Sequence, residues 1–258
     1  MSIVQNSAIA WTDHTFNPWW SCTKVDACCS HCYAETLAKR WGFSWGPKAP
    51  RRLFGPKHWA EPLAWNAKAA KSGKTVRVFC GSMCDWAEDR RDLDDERVKL
   101  WKLIEATPAL TWLLLTKRSQ NIRSMLPTIQ IGGEELPRFN NVWVGVTVGI
   151  RANLSRLDDL RAVPAVVRFV SFEPLLEDLG LIDLTGISWG IVGCESGPKA
   201  RPMREEWVKN IFGAFAAPLR PMAFFYKQAM TAGRLDHEPM IYGQTWHEFP
   251  MPPAEGAR

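Results

Sequence analysis

The chain has 258 residues, 46% of them hydrophobic and 23% charged, with 32 Lys+Arg against 27 Asp+Glu and a net charge of +5. That balance excludes an intrinsically disordered chain, which would be poorer in apolar residues and more charged, and it suits one large domain or two small ones. No run reaches the eighteen or so apolar residues of a membrane span, and Met1-Ser2-Ile3-Val4-Gln5-Asn6 lacks a signal peptide's basic start and apolar stretch, so a cytoplasmic protein without membrane contact is expected.

In chain order, residues 9–12 predict a first strand, followed by a cysteine-rich loop and a helix over 31–40. Residues 42–62 read as an irregular insertion. A strand is predicted at 76–80, a helix at 93–106, a strand at 111–115 and a short helix at 119–125. Residues 127–141 read as a second irregular stretch. Strands follow at 142–148 and 166–171, with a helix at 152–161 between them. A strand at 187–192, a helix at 204–216 and a strand at 223–226 complete the pattern, and the tail, 251–258, reads as frayed. Near-continuous apolar strands alternating with amphipathic helices predict an α/β fold, a barrel or open sheet of βα units, with function gathered where strands end.

Of the 7 cysteines, Cys22, Cys28, Cys29 and Cys32 lie in one short segment, while Cys80, Cys84 and Cys194 are scattered along apolar runs as expected core residues. Clustered cysteines in a large cytosolic chain are more often metal ligands or reactive thiols than disulfides. Structural zinc takes four protein ligands; Cys28 or His31 would supply a fourth, but adjacent cysteines rarely chelate one tetrahedral ion without strain. Three thiolates suit a [4Fe-4S] cluster with one iron open, and S-adenosyl-L-methionine offers an amino and a carboxylate group to that iron. A zinc site and a redox or purely structural cysteine set stay open beside it.

The sequence resembles the phage-associated three-Cys-motif proteins, a radical-SAM-like family, over about residues 9–250. The matching segments are Trp11-Thr12-Asp13 with Asn17-Pro18, Cys22-Thr23-Lys24-Val25, Cys29-x-x-Cys32-Tyr33-Ala34-Glu35, Gly81-Ser82-Met83-x-Asp85 and Leu114-Leu115-Thr116-Lys117-Arg118. They continue through Trp143-x-Gly145-Val146-Thr147-Val148, Ser171-x-Glu173-Pro174-Leu175-Leu176, Gly193-x-Glu195-Ser196-Gly197-x-x-Ala200-Arg201-Pro202-Met203, Lys227-Gln228, Gly233-Arg234-Leu235 and Trp246-x-Glu248-Phe249-Pro250.

The resemblance implies a partial (β/α)6 barrel of radical-SAM type in a single domain, residues 1–250, with a basic, aromatic-rich insertion at 42–62. It implies cluster ligation by Cys22, Cys29 and Cys32, and S-adenosyl-L-methionine as cofactor. Around that cofactor it places Tyr33, Gly81, Ser82, Asp85, Thr147, Ser171, Glu173, Gly193 and Glu195. Lys117, Arg118 and Lys227 would steady the cofactor carboxylate or a substrate phosphate. The spacing C-x6-C-x2-C departs from the wider superfamily's C-x3-C-x2-C, Cys28 stands where the family has glycine, and His31 stands where an aromatic residue is usual.

Charge is unevenly placed. Residues 37–77 carry ten basic groups, among them Arg51 and Arg52, against Glu61 alone, so this stretch holds +9 and the remainder −4. Trp41, Phe43, Trp45, Phe54, Trp59 and Trp65 are interleaved with them. Basic groups meet phosphates and flat rings stack on bases, so a DNA or nucleotide substrate is one expectation, and a solvated face over a Trp-rich core is the other. The expected function is a radical-SAM enzyme, needing an external electron donor, that modifies a nucleic-acid base or modified nucleotide, as in hypermodified phage DNA; the location would then be the host cytoplasm. Two rivals are a non-catalytic nucleic-acid-binding protein with a zinc or iron–sulfur site, and a radical-SAM enzyme acting on a protein or small molecule.

Overall fold

The apolar runs of the sequence become neighbouring strands of one eight-stranded sheet. The computed structural model describes residues 7–197, 199–216 and 222–251; of the expected tail only Met251 falls within them, and residues 1–6 lie outside. The chain starts with β1 (His14–Phe16), β2 (Trp19–Trp20), α1 (Tyr33–Arg40), β3 (Arg52–Leu53), α2 (Pro56–Ser72), β4 (Val76–Cys80), α3 (Asp94–Glu105) and β5 (Leu110–Thr116). Next come α4 (Ile122–Met125), β6 (Thr128–Ile131), β7 (Glu134–Pro137), β8 (Val142–Thr147), α5 (Arg156–Arg161) and β9 (Val167–Phe172). β10 (Trp189–Gly193), α6 (Glu205–Phe215), β11 (Ala223–Thr231) and β12 (Arg234–Asp236) follow.

The sheet order is β1-β4-β5-β8-β9-β10-β11-β12; the first seven strands are parallel and β12 is antiparallel. Each crossover advances one place in the same direction, and the result is a mixed α/β single domain whose sheet curls into a half-barrel. All seven parallel strands therefore end on one rim.

Side chains alternate between two layers, as strand geometry requires. Val78, Leu114, Val144, Val170, Val192 and Phe224 face outward into the core beneath the helices. Phe79, Leu113, Trp143, Phe169, Trp189 and Phe225 face the concave interior, where Trp11 joins them 4.6 Å from Phe79 and 6.1 Å from Trp189. Indoles thus plug the half-barrel from below, which accounts for part of the tryptophan content. At Gly145 a Cβ would lie 2.4 Å from the Phe169 ring, so only glycine lets that ring cross the interior.

Three expectations are corrected. The first strand is His14–Phe16 rather than residues 9–12. The Thr12 hydroxyl instead accepts from the Phe79 N–H (3.0 Å) and the Asp13 carboxylate from the Arg77 N–H (2.8 Å), so side chains replace the ladder there and leave Trp11 free to turn inward. The insertion is not irregular throughout: α2 begins at Pro56, where proline fits a helix start, and Trp59, Trp65 and Ala69 bury its apolar side. Residues 127–141 contain a β6–β7 hairpin turned by Gly132-Gly133, both at positive φ (61° and 87°). Cys80, Cys84 and Cys194 are buried, as expected. Among the described residues no helix is long and apolar enough to cross a membrane.

Candidate functional site

The interior alternation continues to the rim, where the apolar residues give way to small or polar ones at or just beyond the ends of the parallel ladders: Phe79 to Gly81, Leu115 to Lys117, Gly145 to Thr147, Phe169 to Ser171, and Phe225 to Lys227. These residues, with Glu173 and Glu195, line a cavity of about 350 Å³ above the Trp11 and Phe79 floor. The same cavity is lined by Cys22, Cys29, Cys32, Tyr33 and Ser82, so the rim and the cysteine loop meet in one place. Thr147 is fully buried and its hydroxyl has no hydrogen-bond partner, and the Trp11 indole N–H is likewise unpartnered. Unsatisfied buried polar groups facing a cavity point to a ligand.

The cysteine loop is held by its polar residues. Asp26 accepts from the Cys28 N–H (2.7 Å), capping the turn Ala27–Cys29, and pairs with Arg156, which also donates to the Thr147 carbonyl (2.7 Å) at the end of β8. Burial would raise the Asp26 carboxyl, but Arg156 and the Cys28 N–H together hold it below the usual carboxylate range. Cys28 edges the cavity but turns its thiol to the Asn153 Oδ1 (3.5 Å). A Cβ at Gly149 would stand 2.7 Å from that sulfur and 2.1 Å from the Pro174 carbonyl oxygen, so glycine there makes room for Cys28. Cys22, Cys29 and Cys32 are free, part-exposed thiols.

Lys117 and Arg118, adjacent after β5, have different surroundings. Arg118 donates to Asp85 (2.8 Å), the Thr23 carbonyl (2.7 Å) and the Cys22 sulfur (3.5 Å), and reaches Glu88 at 3.5 Å. Arg51 grips Glu88 through two bonds of 2.8 and 2.6 Å and ties down Ser21, Thr23, Gly46 and Ala49. Asp85 also accepts from the Thr116 hydroxyl and the N–H groups of Ala87 and Lys117. Asp85, Arg118 and Arg51, expected at cofactor or substrate, are therefore engaged in a buried network that fixes the Cys22 side of the loop. Burial pushes the Cys22 thiol up to about 12, with the Asp85 charge adding to it and Arg118 opposing. Lys117 has no ion-pair partner among the described residues; burial disfavours its charge, but Cys29, Cys32, Cys28 and Asp85 outweigh that and raise its pKa.

On the opposite side, Glu173 pairs with Lys227, and Gln228 donates to it (3.3 Å), so two expected ligand-binding groups meet each other across the cavity wall. Glu195 accepts from the Arg201 N–H (2.9 Å) and guanidinium (2.5 and 3.0 Å) and lies 2.8 Å from His31 Nδ1. Burial alone would raise the Glu195 carboxyl, but these donors bring it down to about 2. Arg201 also donates to the Ala27 carbonyl (2.9 Å), so the loop after β10 is clasped onto the cysteine loop. Tyr33 donates to the Ser82 carbonyl (2.9 Å), and Ser82 Oγ meets Asn17 (3.0 Å). Arg52 lies outside the cavity, over the rings of Trp20, Phe43 and Phe54. The sequence assigned no role to Trp11 or Arg201, although both stood inside matched segments; His31 was considered only as a fourth zinc ligand and Trp45 only as one ring of the aromatic-rich stretch.

Among the described residues no three His, Cys, Asp or Glu side chains converge as ligands of one metal ion. A four-iron cluster binds each thiolate on a different iron, so its ligands stand further apart than those of a single ion. Three free thiols at a largely apolar cavity that also holds an unpaired lysine and a buried unsatisfied hydroxyl fit such a cluster and a cofactor with a few polar groups.

The family described as "Protein of unknown function (DUF5131)" matches residues 6–250. The chain belongs to the DUF5131 family. Comparison of this DUF5131 chain with curated proteins and with solved structures found no match.

Proposed function

We propose that this DUF5131 chain is an iron–sulfur enzyme of the radical-SAM type, acting on a nucleic-acid base or modified nucleotide. The observation that carries the reading is the meeting of Cys22, Cys29 and Cys32 in one cavity with the polar ends of five parallel strands. With a [4Fe-4S] cluster and S-adenosyl-L-methionine bound and an external electron donor, the site would supply reductive cleavage of the sulfonium bond and so radical chemistry.

The chain's own residues supply holding, shielding and charge. Cys22, Cys29 and Cys32 would hold the cluster. Lys117 offsets the negative charge of Cys29 and Cys32, and Arg118 donates to the Cys22 sulfur. The unpartnered Thr147 hydroxyl offers a hydrogen bond to a polar cofactor, and Ser171 lies beside it in the neighbouring strand. Glu173 and Lys227 present one group of each sign to a zwitterion such as an amino acid. Trp11 and Phe79 close the floor of the cavity. Modification of hypermodified phage DNA is the specific form of this proposal.

Anaerobic reconstitution with iron and sulfide tests the cluster. About four irons per chain are expected, retained in Cys28→Ala and lost in Cys29→Ala. Stoichiometric zinc in place of iron, or equal iron in both variants, overturns it.

A further inference from the structure

The ten basic residues between positions 37 and 77 do not form one patch. α2 runs antiparallel to the sheet: near its start His58 donates to the Asn17 carbonyl (2.9 Å) beside the rim residue Ser82, and further along Asn66 accepts from the Ala109 N–H (2.8 Å) just ahead of β5. Its 17 residues span about 25 Å. Lys68, Lys71 and Lys74 therefore lie toward the rear of the sheet, with Arg77 at the start of β4. Arg51 is buried against Glu88, and Lys39 pairs with Glu35. Arg40, Lys48, Arg52 and Lys57 remain on the rim side, and none has an ion-pair partner among the described residues. Lys48 belongs there because Gly46, two residues earlier, bonds the Cys22 carbonyl (3.2 Å).

Between these charges lies an aromatic shelf. Trp41 stacks on Trp20 at 5.3 Å and 23°, and Phe43 and Phe54 meet Trp20 edge-on at 5.6 Å. The Arg52 guanidinium sits 4.7, 4.2 and 5.3 Å above Trp20, Phe43 and Phe54. Stacked in this way, a guanidinium keeps N–H edges free for phosphate. Trp41 is 49% exposed, so its indole is only partly covered by Trp20. Trp45 continues the shelf: it packs in one apolar cluster with Trp20, Phe43 and Cys32 and also lines the cavity.

We propose that this shelf docks single-stranded nucleic acid, with an unpaired base on Trp41 and phosphates on Arg52, Arg40, Lys48 and Lys57, and leads the strand past Trp45 into the cavity. The proposal extends the catalytic reading by giving its substrate a form and a place. Duplex DNA covers its base faces and presents edges only, so an open indole selects unpaired bases. Four phosphate contacts imply a slope of log affinity against log salt of about −3 for a single strand.

The test is fluorescence anisotropy of a labelled thymidylate strand of about twelve nucleotides with the full-length chain free of iron. Trp41→Ala should weaken binding about ten-fold or more, Trp41→Phe should restore most of it, and the duplex should bind more weakly and ignore Trp41→Ala. The triple variant Arg40→Gln/Lys48→Gln/Lys57→Gln should flatten the salt slope by about 2, whereas Lys68→Gln/Lys71→Gln/Lys74→Gln, with the same charge loss at the rear, should leave affinity within about two-fold. Thermal melts equal to wild type keep each loss assignable to binding. No single-strand binding, equal losses in both triples, an unaffected Trp41→Ala, or displacement by polyglutamate as strong as by the strand overturns the proposal. Because the chain is used without iron, failure here leaves the cluster reading standing. Binding through Trp41 by a chain that takes up no cluster sinks the catalytic reading alone.

Discussion

Replacing Arg118 and Lys117 separately should divide two neighbours that the sequence placed together as substrate-binding cations. The Arg118–Asp85 pair is 2.8 Å long and both side chains are 8% exposed. Removing one partner of a buried ion pair costs about 3–5 kcal/mol, because the other is left desolvated and unpaired. Asp85 would keep three donors, and Glu88 would keep Arg51, which places Arg118→Ala at the lower end, about 3 kcal/mol. At about 2–4 °C per kcal/mol for a domain of this size, the melting temperature should fall by about 6–12 °C. Lys117 has no ion-pair partner among the described residues, so Lys117→Ala should stay within about 1 kcal/mol of wild type. Arg118→Lys should recover only part of the loss, since an ammonium cannot reach Asp85, Thr23 and Cys22 together. Urea unfolding followed by tryptophan fluorescence reads all three. A wild-type curve for Arg118→Ala, or a larger loss for Lys117→Ala, would refute the division of these residues into one held in a buried ion pair and one without such a partner.

Glu195 carries a pH signature. Its carboxyl is lowered from 4.5 to about 2; a lowered carboxylate adds stability above its unfolded value, and that stability is lost as pH falls through the folded one. Glu195→Gln should therefore cost at most about 3 kcal/mol above pH 5, and urea midpoints of the two proteins should converge as pH drops from about 4.5 toward 2. Gly149→Ala places a Cβ 2.1 Å from the Pro174 carbonyl oxygen, and overpacking of that kind typically costs about 1–3 kcal/mol; an unchanged melt would contradict the close approach of Cys28 and Pro174. Asp26→Ala removes the cap on the cysteine-loop turn and the partner of Arg156, so limited proteolysis should cut near residue 27 faster than in wild type, while equal rates would show that the loop is held by other contacts.

The sequence disclosed the sheet well because its strands are buried on both faces. Residues 76–80 match β4 to the residue, and 111–115 fall inside β5, since an apolar run, interrupted only by Arg77 in β4 and Thr111 in β5 and followed by Gly81 or by Thr116-Lys117, leaves little choice. The rim was equally visible, for the same period that buries Phe169 brings Ser171 to the cavity. What stayed hidden depends on contacts distant in sequence. α2 was obscured by Pro56 and Pro62, although Pro56 opens the helix favourably and the bond lost at Pro62 is outweighed by Trp59, Trp65 and Ala69 packing on the sheet. Composition suggested a single basic insertion; the antiparallel run of α2 instead carries three of its lysines toward the rear. The network that ties Asp85, Arg118 and Arg51 together was not legible, because no local pattern reveals that Arg51 meets Glu88 and Arg118 meets Asp85 30 or more residues away.

The central claim is that Cys22, Cys29 and Cys32 hold a cluster that activates S-adenosyl-L-methionine. Its most direct test is anaerobic incubation of the reconstituted, dithionite-reduced chain with that cofactor, followed by chromatography for 5′-deoxyadenosine and methionine. The account predicts both products in equal amounts from wild type and Cys28→Ala, and neither from Cys22→Ala, Cys29→Ala or Cys32→Ala. A fully iron-loaded wild-type chain that leaves the cofactor intact would contradict it.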